Sequence, residues 1–461
     1  MGISKPAPLG NDLGLFTDLY ELTMAQAYFS HGMFAPATFS LSIRRYPPSR
    51  AYFVAAGLED VLDYLANLQF SGAALDYLRS TGIFTEDFLD YLGGLRFTGS
   101  VRAIPEGRLF FTDEPPIEVT APIMEAQLAE TFIINQINLQ TLLATKASRC
   151  VWAAQGRILT DFASRRAQGV DAALKMARSS YIAGFQTTSN VLAAQRYGIP
   201  PAGTMAHSFI SCFTEETGAF RAYASTFPNR ATFLLDTYDT IEGAWRAVAV
   251  AKELEAAGHR LLAVRLDSGD FDSLSRSVRR ILDGAGLDYV RILASGGLDE
   301  YELDVLSKAG APIDMFGVGT KAGVSADAPW TDMAYKLVSY DQRPVMKLST
   351  DKVSLPGAKQ VFRFRDGAGQ ISQDIIGLHD ESIQGGTPLL TQVMAGGRRT
   401  GPDPALAEIR ERLAEDFRNL DDRFKELDDP PRYPVAISPR LEQLAARVRE
   451  EILSDHPPAT S

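Results

Sequence analysis

At 461 residues with 45% hydrophobic composition, the chain can bury full cores and has the length of two domains. Its net charge of −11 excludes nucleic acid or an anionic membrane as the main partner, because both need a basic surface; an anionic substrate then requires a local cationic pocket. Cys150 and Cys212 are too few and too far apart for a disulfide framework or a zinc site.

The opening stretch MGISKPAPLGNDLG lacks an apolar signal core, and Pro6 stands where a myristoylation pattern wants Ser or Thr. No apolar run is long enough to span a bilayer, so the expected setting is soluble, reducing and cytoplasmic. In LFTDLYELTMAQAYFSHG, Thr17 or Asp18 can cap a helix, and Asp18 and Glu21 have the spacing of a capping box. Leu15, Leu19, Leu22 and Phe29 fall on one helical face. Tyr20 lies on a neighbouring stripe with Met24 and His31, an aromatic beside a carboxylate that needs something to pack against. Strand-like pieces follow in ATFSLSIRRYP and LRFTGSVRAIPEG. From Glu125 to about Ala154 the pattern predicts one long helix, with Pro122 just ahead of it.

A rhythm then sets in. Short apolar runs end in small or polar residues: RILTDFASRR, PPAGTMAHS, ATFLLDTYDT, LLAVRLDSGD, VRILASGG and IDMFGVGT. Helical segments such as TIEGAWRAVAVAKELEAAG and DEYELDVLSKAG separate most of them. The end residues Asp236, Asp267, Ser295 and Gly319 are about 24–31 residues apart, the length of a strand, a helix and two loops. Such units build a parallel sheet covered by helices, either a (β/α) barrel or a doubly wound open sheet. In both, polar residues at the carboxyl ends of the strands form the functional rim.

Beyond Trp330 the chain returns to strand and turn in AYKLVSYDQRPVMKL and KQVFRFRDGAGQISQDII, with DGAG as a hairpin turn. PALAEIRERLAEDFRNLDDRFKEL and SPRLEQLAARVREEIL predict helices with solvated charged faces, and the tail SDHPPATS reads as disordered.

The chemistry concentrates on the rim. ASGGLDE and GVGTKAG put Ser295, Gly296 and Gly297, then Gly317, Gly319 and Thr320, between a strand and a helix. Each loop alone reads as a tight turn; on consecutive strands they suit a phosphate. GVGTKA also fits a dinucleotide fingerprint, but the residues after it make a poor crossover helix. No G-x-x-x-x-G-K-[ST] occurs, so ATP would have to bind without a P-loop. In VRLDSGD, Arg265 and Asp267 share one strand face. They are either a structural ion pair or a ligand site in which the arginine forks onto an anion and the acid meets ribose hydroxyls or Mg²⁺. Arg165 and Arg166 follow another strand. His207, in AGTMAHSF, can act as acid, base or nucleophile on the same rim, or simply be packed.

The motifs FTDLYELTMAQAYF, then DFASRRAQGVDAALKMARSSYIAGFQTTSNVLAAQRYGIPPAGTMAHSF, then RLDSGD, GVGT, YKLV and YPVAIS together resemble the nicotinate phosphoribosyltransferase family, from about Leu15 to about Leu441. The resemblance implies a type II phosphoribosyltransferase fold, an irregular α/β barrel with an open-faced α/β domain built from both chain ends. It divides the chain into 1–125, a barrel over 126–335, and 336–461. It implies synthesis of nicotinate mononucleotide and pyrophosphate from nicotinate and phosphoribosyl pyrophosphate, the first step of NAD synthesis from nicotinate. ATP hydrolysis drives this through a phosphohistidine, with Mg²⁺ as cofactor. His207 falls on the phosphohistidine and joins Arg265 and Asp267 as the catalytic group. Tyr20, Thr204 and Arg265 fall on nicotinate contacts, with Asp18 and Arg165 beside them. Gly319 and Thr320 fall on the sugar-phosphate site, next to the loop of Ser295, Gly296 and Gly297.

Family members are homodimers with shared sites, so Tyr20 is expected to stack on the pyridine ring in the partner's site. The alternatives are a nicotinamide-using relative and a non-catalytic nucleotide-binding member. The first carries an acidic residue in the segment corresponding to QTTSNVLA, which here has none; intact His207, Arg265 and Thr320 speak against the second.

Overall fold

The computed structural model describes residues 13–349 and 354–455. The reading of the N-terminal stretch therefore lies largely outside it. So does most of the tail, although Ser454 and Asp455 extend the last helix, Pro439–Asp455. The chain divides into two compact units, one formed by 1–142 with 330–461, the other by 143–329. Among the described residues, no helix is long and apolar enough to cross a membrane.

In the first unit the two ends of the chain interleave. Strand Pro36–Ile43 pairs antiparallel with Met333–Tyr340 on one side and Ile117–Pro122 on the other, inside a seven-stranded sheet. Phe39 and Tyr335 stack across that pairing, ring centroids 4.7 Å apart, over a core that includes Leu41, Val61, Phe88 and Val101. Burying each such side chain contributes about 1.5–3 kcal/mol, which is what keeps a pairing between such distant segments closed. The hairpin turn forms as expected: Lys359–Arg365 and Ile371–Leu378 pair antiparallel around Asp366–Gly369, where Gly369 takes φ +84°.

Helix Leu19–Ser30 starts where the sequence places it, and of the predicted apolar face Leu15, Leu22 and Phe29 pack on the core while Leu19 does not. Asp18 is its N-cap residue by backbone, yet its side chain makes no cap bond. That carboxylate instead lies 2.7 Å from the Thr131 hydroxyl, which shares its one proton between Asp18 and Glu21, and Glu21 also accepts from Thr17. These hydroxyls let Glu21 be fully buried beside Leu22 and Ala25, while Leu19 is left exposed. The long helix predicted from Glu125 is two segments, Ile123–Leu128 and Glu130–Ala153, interrupted at Ala129. The charged C-terminal segment is an α-helix only over Leu406–Asn419, followed by a 3-10 turn at Asp422–Phe424, and the helix is more than a solvated surface: Ile409, Leu413 and Asp416 are buried.

Asp416 belongs to an ionic knot. Arg363, 2% exposed, donates to Asp374 at 2.7 Å, to Asp416 at 3.3 Å and to the Leu109 carbonyl at 2.9 Å. Arg108 reaches Asp416 at 2.7 Å from the other side. Burial and the Asp374 charge push the neighbouring Glu114 carboxyl well up, against the pull of Arg363. Removing the guanidinium would strand buried carboxylates, which typically costs about 3–5 kcal/mol. Arg363→Met should therefore lower the denaturant midpoint by that equivalent in urea unfolding; a change under about 1 kcal/mol would contradict the knot's role.

The second unit holds six parallel strands: β1 (Ile158–Asp161), β2 (Thr187–Thr188), β3 (Thr232–Leu234), β4 (Ala263–Leu266), β5 (Arg291–Ser295) and β6 (Met315–Val318). Their spatial order is β2-β1-β6-β5-β4-β3. This is the chain order read around a circle, cut between β2 and β3. Helices such as Thr240–Ala256 and Phe271–Gly284 separate the strands, as the spacing predicts. The expected strand in PPAGTMAHS is absent; that segment makes a single bridge, Thr188 to Pro201. Its proline pair and glycine explain why, since they remove donors and favour irregular backbone.

Candidate functional site

The carboxyl ends of β4 and β5 converge on one side chain. Arg265 sits on β4 with its guanidinium over the Phe162 ring, 5.7 Å from the centroid. Its Nε donates to Ser295 Oγ at 2.7 Å and Nη2 to Asp267 Oδ1 at 2.6 Å. Nη1 donates to Thr204 Oγ1 at 2.9 Å and to the Met205 carbonyl at 3.2 Å. Ser295 in turn donates to Asp267 Oδ1 at 2.5 Å. The ion pair, one of the two sequence alternatives for Arg265 and Asp267, is present, and it stands at the carboxyl end of β4.

Burial alone would raise the Asp267 carboxyl. Hydrogen bonds from Ser295 and Arg265, with the charges of Arg265 and His207, outweigh it and hold the group below its ordinary range. His207 presents Nε2 to Asp267 Oδ2 at 3.8 Å, and its Nδ1 lies 3.1 Å from Thr237 Oγ1. The imidazole is 45% exposed, so a ligand can reach it.

Asp236, which the sequence marks as a strand end without a chemical role, joins this cluster. Its Oδ2 accepts from the Asp267 amide at 3.1 Å and from Ser268 at 2.5 Å. Its Oδ1 is buried with no hydrogen-bond partner among the described residues. The signal for it was available: it closes one of the apolar runs whose other ends were read as the rim.

The glycine loops flank this cluster. Gly296 follows Ser295 with φ +103°, and a Cβ there would lie 2.0 Å from the Asp267 carbonyl oxygen. Gly317 is pinned by Phe162, whose ring lies 2.4 Å from where its Cβ would be. Thr320 is exposed at the start of a four-residue helix, Thr320–Gly323. So short a helix disfavours the dinucleotide fingerprint, which needs a crossover helix. Arg165 stands on the exposed turn after β1. Asp161, at the end of β1, is turned inward and accepts from Thr188 and the Ala163 amide.

Asp18 and Tyr20 belong to the first unit. Tyr20 is 48% exposed. Partial burial and the charges of Glu130, Glu21 and Asp18 raise its phenol, so it stays neutral, while burial lifts Glu21 to about 7. The first unit also has a polar cavity of about 360 Å³ whose lining includes Arg44, Lys336, Lys359 and Arg432 together with Asp113; Arg44 is paired with Asp332 and Lys359 with Glu118. Sequence reading missed it because the register that sets Lys336 opposite Ser40 joins the two ends of the chain.

The fold and rim are those of a mixed α/β enzyme. The chain belongs to the nicotinate phosphoribosyltransferase family: the N-terminal domain of nicotinate phosphoribosyltransferase matches residues 15–138, the nicotinate phosphoribosyltransferase family matches 158–345, and the C-terminal domain matches 386–445. It is 48% identical over 452 residues to a nicotinate phosphoribosyltransferase of Mycobacterium tuberculosis, covering 97% of this chain and 96% of the relative. A Bacillus subtilis nicotinate phosphoribosyltransferase is 36% identical over 483 residues, covering 96% and 98%. The crystal structure of human nicotinic acid phosphoribosyltransferase superposes with a TM-score of 0.85 at 30% identity, covering 94% of this chain and 99% of that one.

Gly296→Ala would force a Cβ onto the Asp267 carbonyl and strain a left-handed backbone. Because Asp267 shares that backbone contact, the substitution should lower kcat/KM by about tenfold or more, a loss of about 1.4 kcal/mol in transition-state binding. Steady-state kinetics beside a thermal melt check this; near wild-type kcat/KM would show that the loop tolerates the shift.

Proposed function

We propose that the chain transfers the phosphoribosyl group of phosphoribosyl pyrophosphate to the ring nitrogen of nicotinate, releasing pyrophosphate. The observation that carries this is Arg265, a guanidinium held in place at the rim beside two glycine loops and a reachable histidine. Nicotinate brings a carboxylate that the arginine charge and its one remaining donor suit. Loss of pyrophosphate leaves an oxocarbenium-like sugar, so catalysis rests on aligning the pyridine nitrogen and holding the leaving group's charge. Ser295 to Gly297 with Gly319 and Thr320 hold the sugar phosphate, and Arg165 adds a second cation.

Asp267 and the partnerless Oδ1 of Asp236 are hard oxygen donors of the kind Mg²⁺ takes alongside substrate phosphates. When bound there, Mg²⁺ would neutralise phosphate charge.

His207 accepts the γ-phosphoryl group of ATP on a ring nitrogen as ADP leaves, and water later cleaves the phosphoramidate. In between, the added charge and acceptor oxygens favour the loaded complex. Tyr20, half-exposed on its helix, stacks on the pyridine ring in the site of a second copy, so the working unit is a homodimer. Such a stack contributes about 0.5–1.5 kcal/mol beyond burial. The circular strand order supports an irregular barrel, since every step between hydrogen-bonded neighbours winds in one sense and the two unpaired edges, β2 and β3, are consecutive in the chain.

Assays of the purified chain test this. Mononucleotide should form from nicotinate and about tenfold to a hundredfold less efficiently from nicotinamide, which lacks the charge-assisted hydrogen bond to Arg265. His207→Ala should take up no label from γ-labelled ATP and keep a slow transfer that ATP no longer stimulates. Label on the mutant, or a rate that still rises with ATP, would place the coupling elsewhere.

A further inference from the structure

Two glycine loops can grip one phosphate only if their separation is fixed, and glycine backbones fix little by themselves. In this chain the helices that follow them are tied together by charge. Asp299 and Glu302 form the capping box of helix Glu300–Lys308, the helix launched by Gly296 and Gly297. Each spends one oxygen on the cap: Asp299 Oδ1 accepts from the Tyr301 amide, and Glu302 Oε2 accepts from the Asp299 amide, both at 3.0 Å. Each gives its other oxygen to Lys321, whose Nζ lies 2.7 Å from Glu302 Oε1 and 3.4 Å from Asp299 Oδ2.

Lys321 is the residue after Thr320. One ammonium group thus ties the start of one loop's helix to the end of the other loop. Behind it, the fully buried Lys146 repeats the link, meeting Glu300 on one helix and Asp327, beyond the other, at 2.8 Å.

We propose that Lys321 is a positioning residue that sets the separation of the two glycine loops and thereby the affinity for the phosphoribosyl donor. The inference rests on the reading of those loops as the sugar-phosphate site. Lys321 acts through the two carboxylates, not by touching substrate. Lys146 alone cannot do the same work, because it holds the helices from beneath, whereas Lys321 adjoins the loop itself. Losing the front tie leaves the fold standing and the loops free to drift by a fraction of an ångström. Displacements on that scale are enough to weaken a multidentate phosphate grip.

Steady-state kinetics of the full chain with both substrates tests this in Lys321→Met, Lys321→Arg, Glu302→Gln and, as a check on the loops themselves, Thr320→Val. Lys321→Met should raise the KM for phosphoribosyl pyrophosphate by about tenfold and leave that for nicotinate within about twofold, with the melting temperature nearly unchanged. Lys321→Arg should restore most of the loss, since its fork spans two carboxylates. Glu302→Gln should shift the donor KM in the same direction as Lys321→Met.

If Thr320→Val weakens the donor while Lys321→Met does not, the loops hold phosphate and the tie is irrelevant. If Thr320→Val has no effect, the loop assignment itself fails. If Glu302→Gln leaves donor affinity intact while Lys321→Met abolishes it, the lysine touches phosphate directly and the positioning role is overturned. An equal rise in both KM values with a lowered melting temperature would reduce Lys321 to a general structural contact.

Discussion

Arg265 fixes the geometry of the rim because its guanidinium is shared among three pieces of backbone. Thr204 and Met205 come from the irregular segment after β2, Asp267 from the end of β4, and Ser295 from the end of β5. A largely buried arginine is tolerable only with a carboxylate partner, and Asp267 supplies it while being held ionised by the same contacts. Remove the arginine and Asp267 loses its main charge partner, His207 faces an altered acid, and the Gly296 turn loses the Ser295 anchor. The consequence for ligand recognition is specific. Guanidinium has five N–H donors and four hydrogen bonds are already made within the protein. A substrate carboxylate therefore meets a single remaining donor and the positive charge, unless Thr204 and Met205 yield.

Much of this rim was legible in sequence. Parallel strands buried on both faces read as apolar runs, and their ends read as the small and polar residues that close each run. The alternation in VRLDSGD put Arg265 and Asp267 on one side of a strand, and they are 2.6 Å apart. Ser295 and Gly296 were named as a phosphate loop, and the structure adds why the glycine is required: the backbone of Asp267 occupies the space a side chain would need.

The rest was illegible for one recurring reason, pairing over long sequence separations. Leu19 and Leu22 look equivalent on a helical wheel, but Thr131, more than a hundred residues away, supplies the hydroxyl that lets Glu21 go inside and Leu19 stay out. Lys336 reads as one charge in a strand until its register beside Ser40 places it among other cations in a cavity. Asp416 reads as a solvated helix charge until Arg363, on a strand, and Arg108, in the loop before Leu109, both reach it. A local pattern carries no information about a partner that distant.

The claim on which the account stands is that Asp267 holds Arg265 in place for the pyridine substrate, so that the two contribute to its binding as one unit. A double-mutant cycle on nicotinate binding by calorimetry, with Arg265→Lys, Asp267→Asn and the pair, measures that directly. A shared unit predicts a coupling free energy of about 1 kcal/mol or more, the double mutant losing less than the two single losses added together. Losses that add to within about 0.3 kcal/mol would mean that the two residues serve the ligand independently, and that the ion pair is scaffold alone.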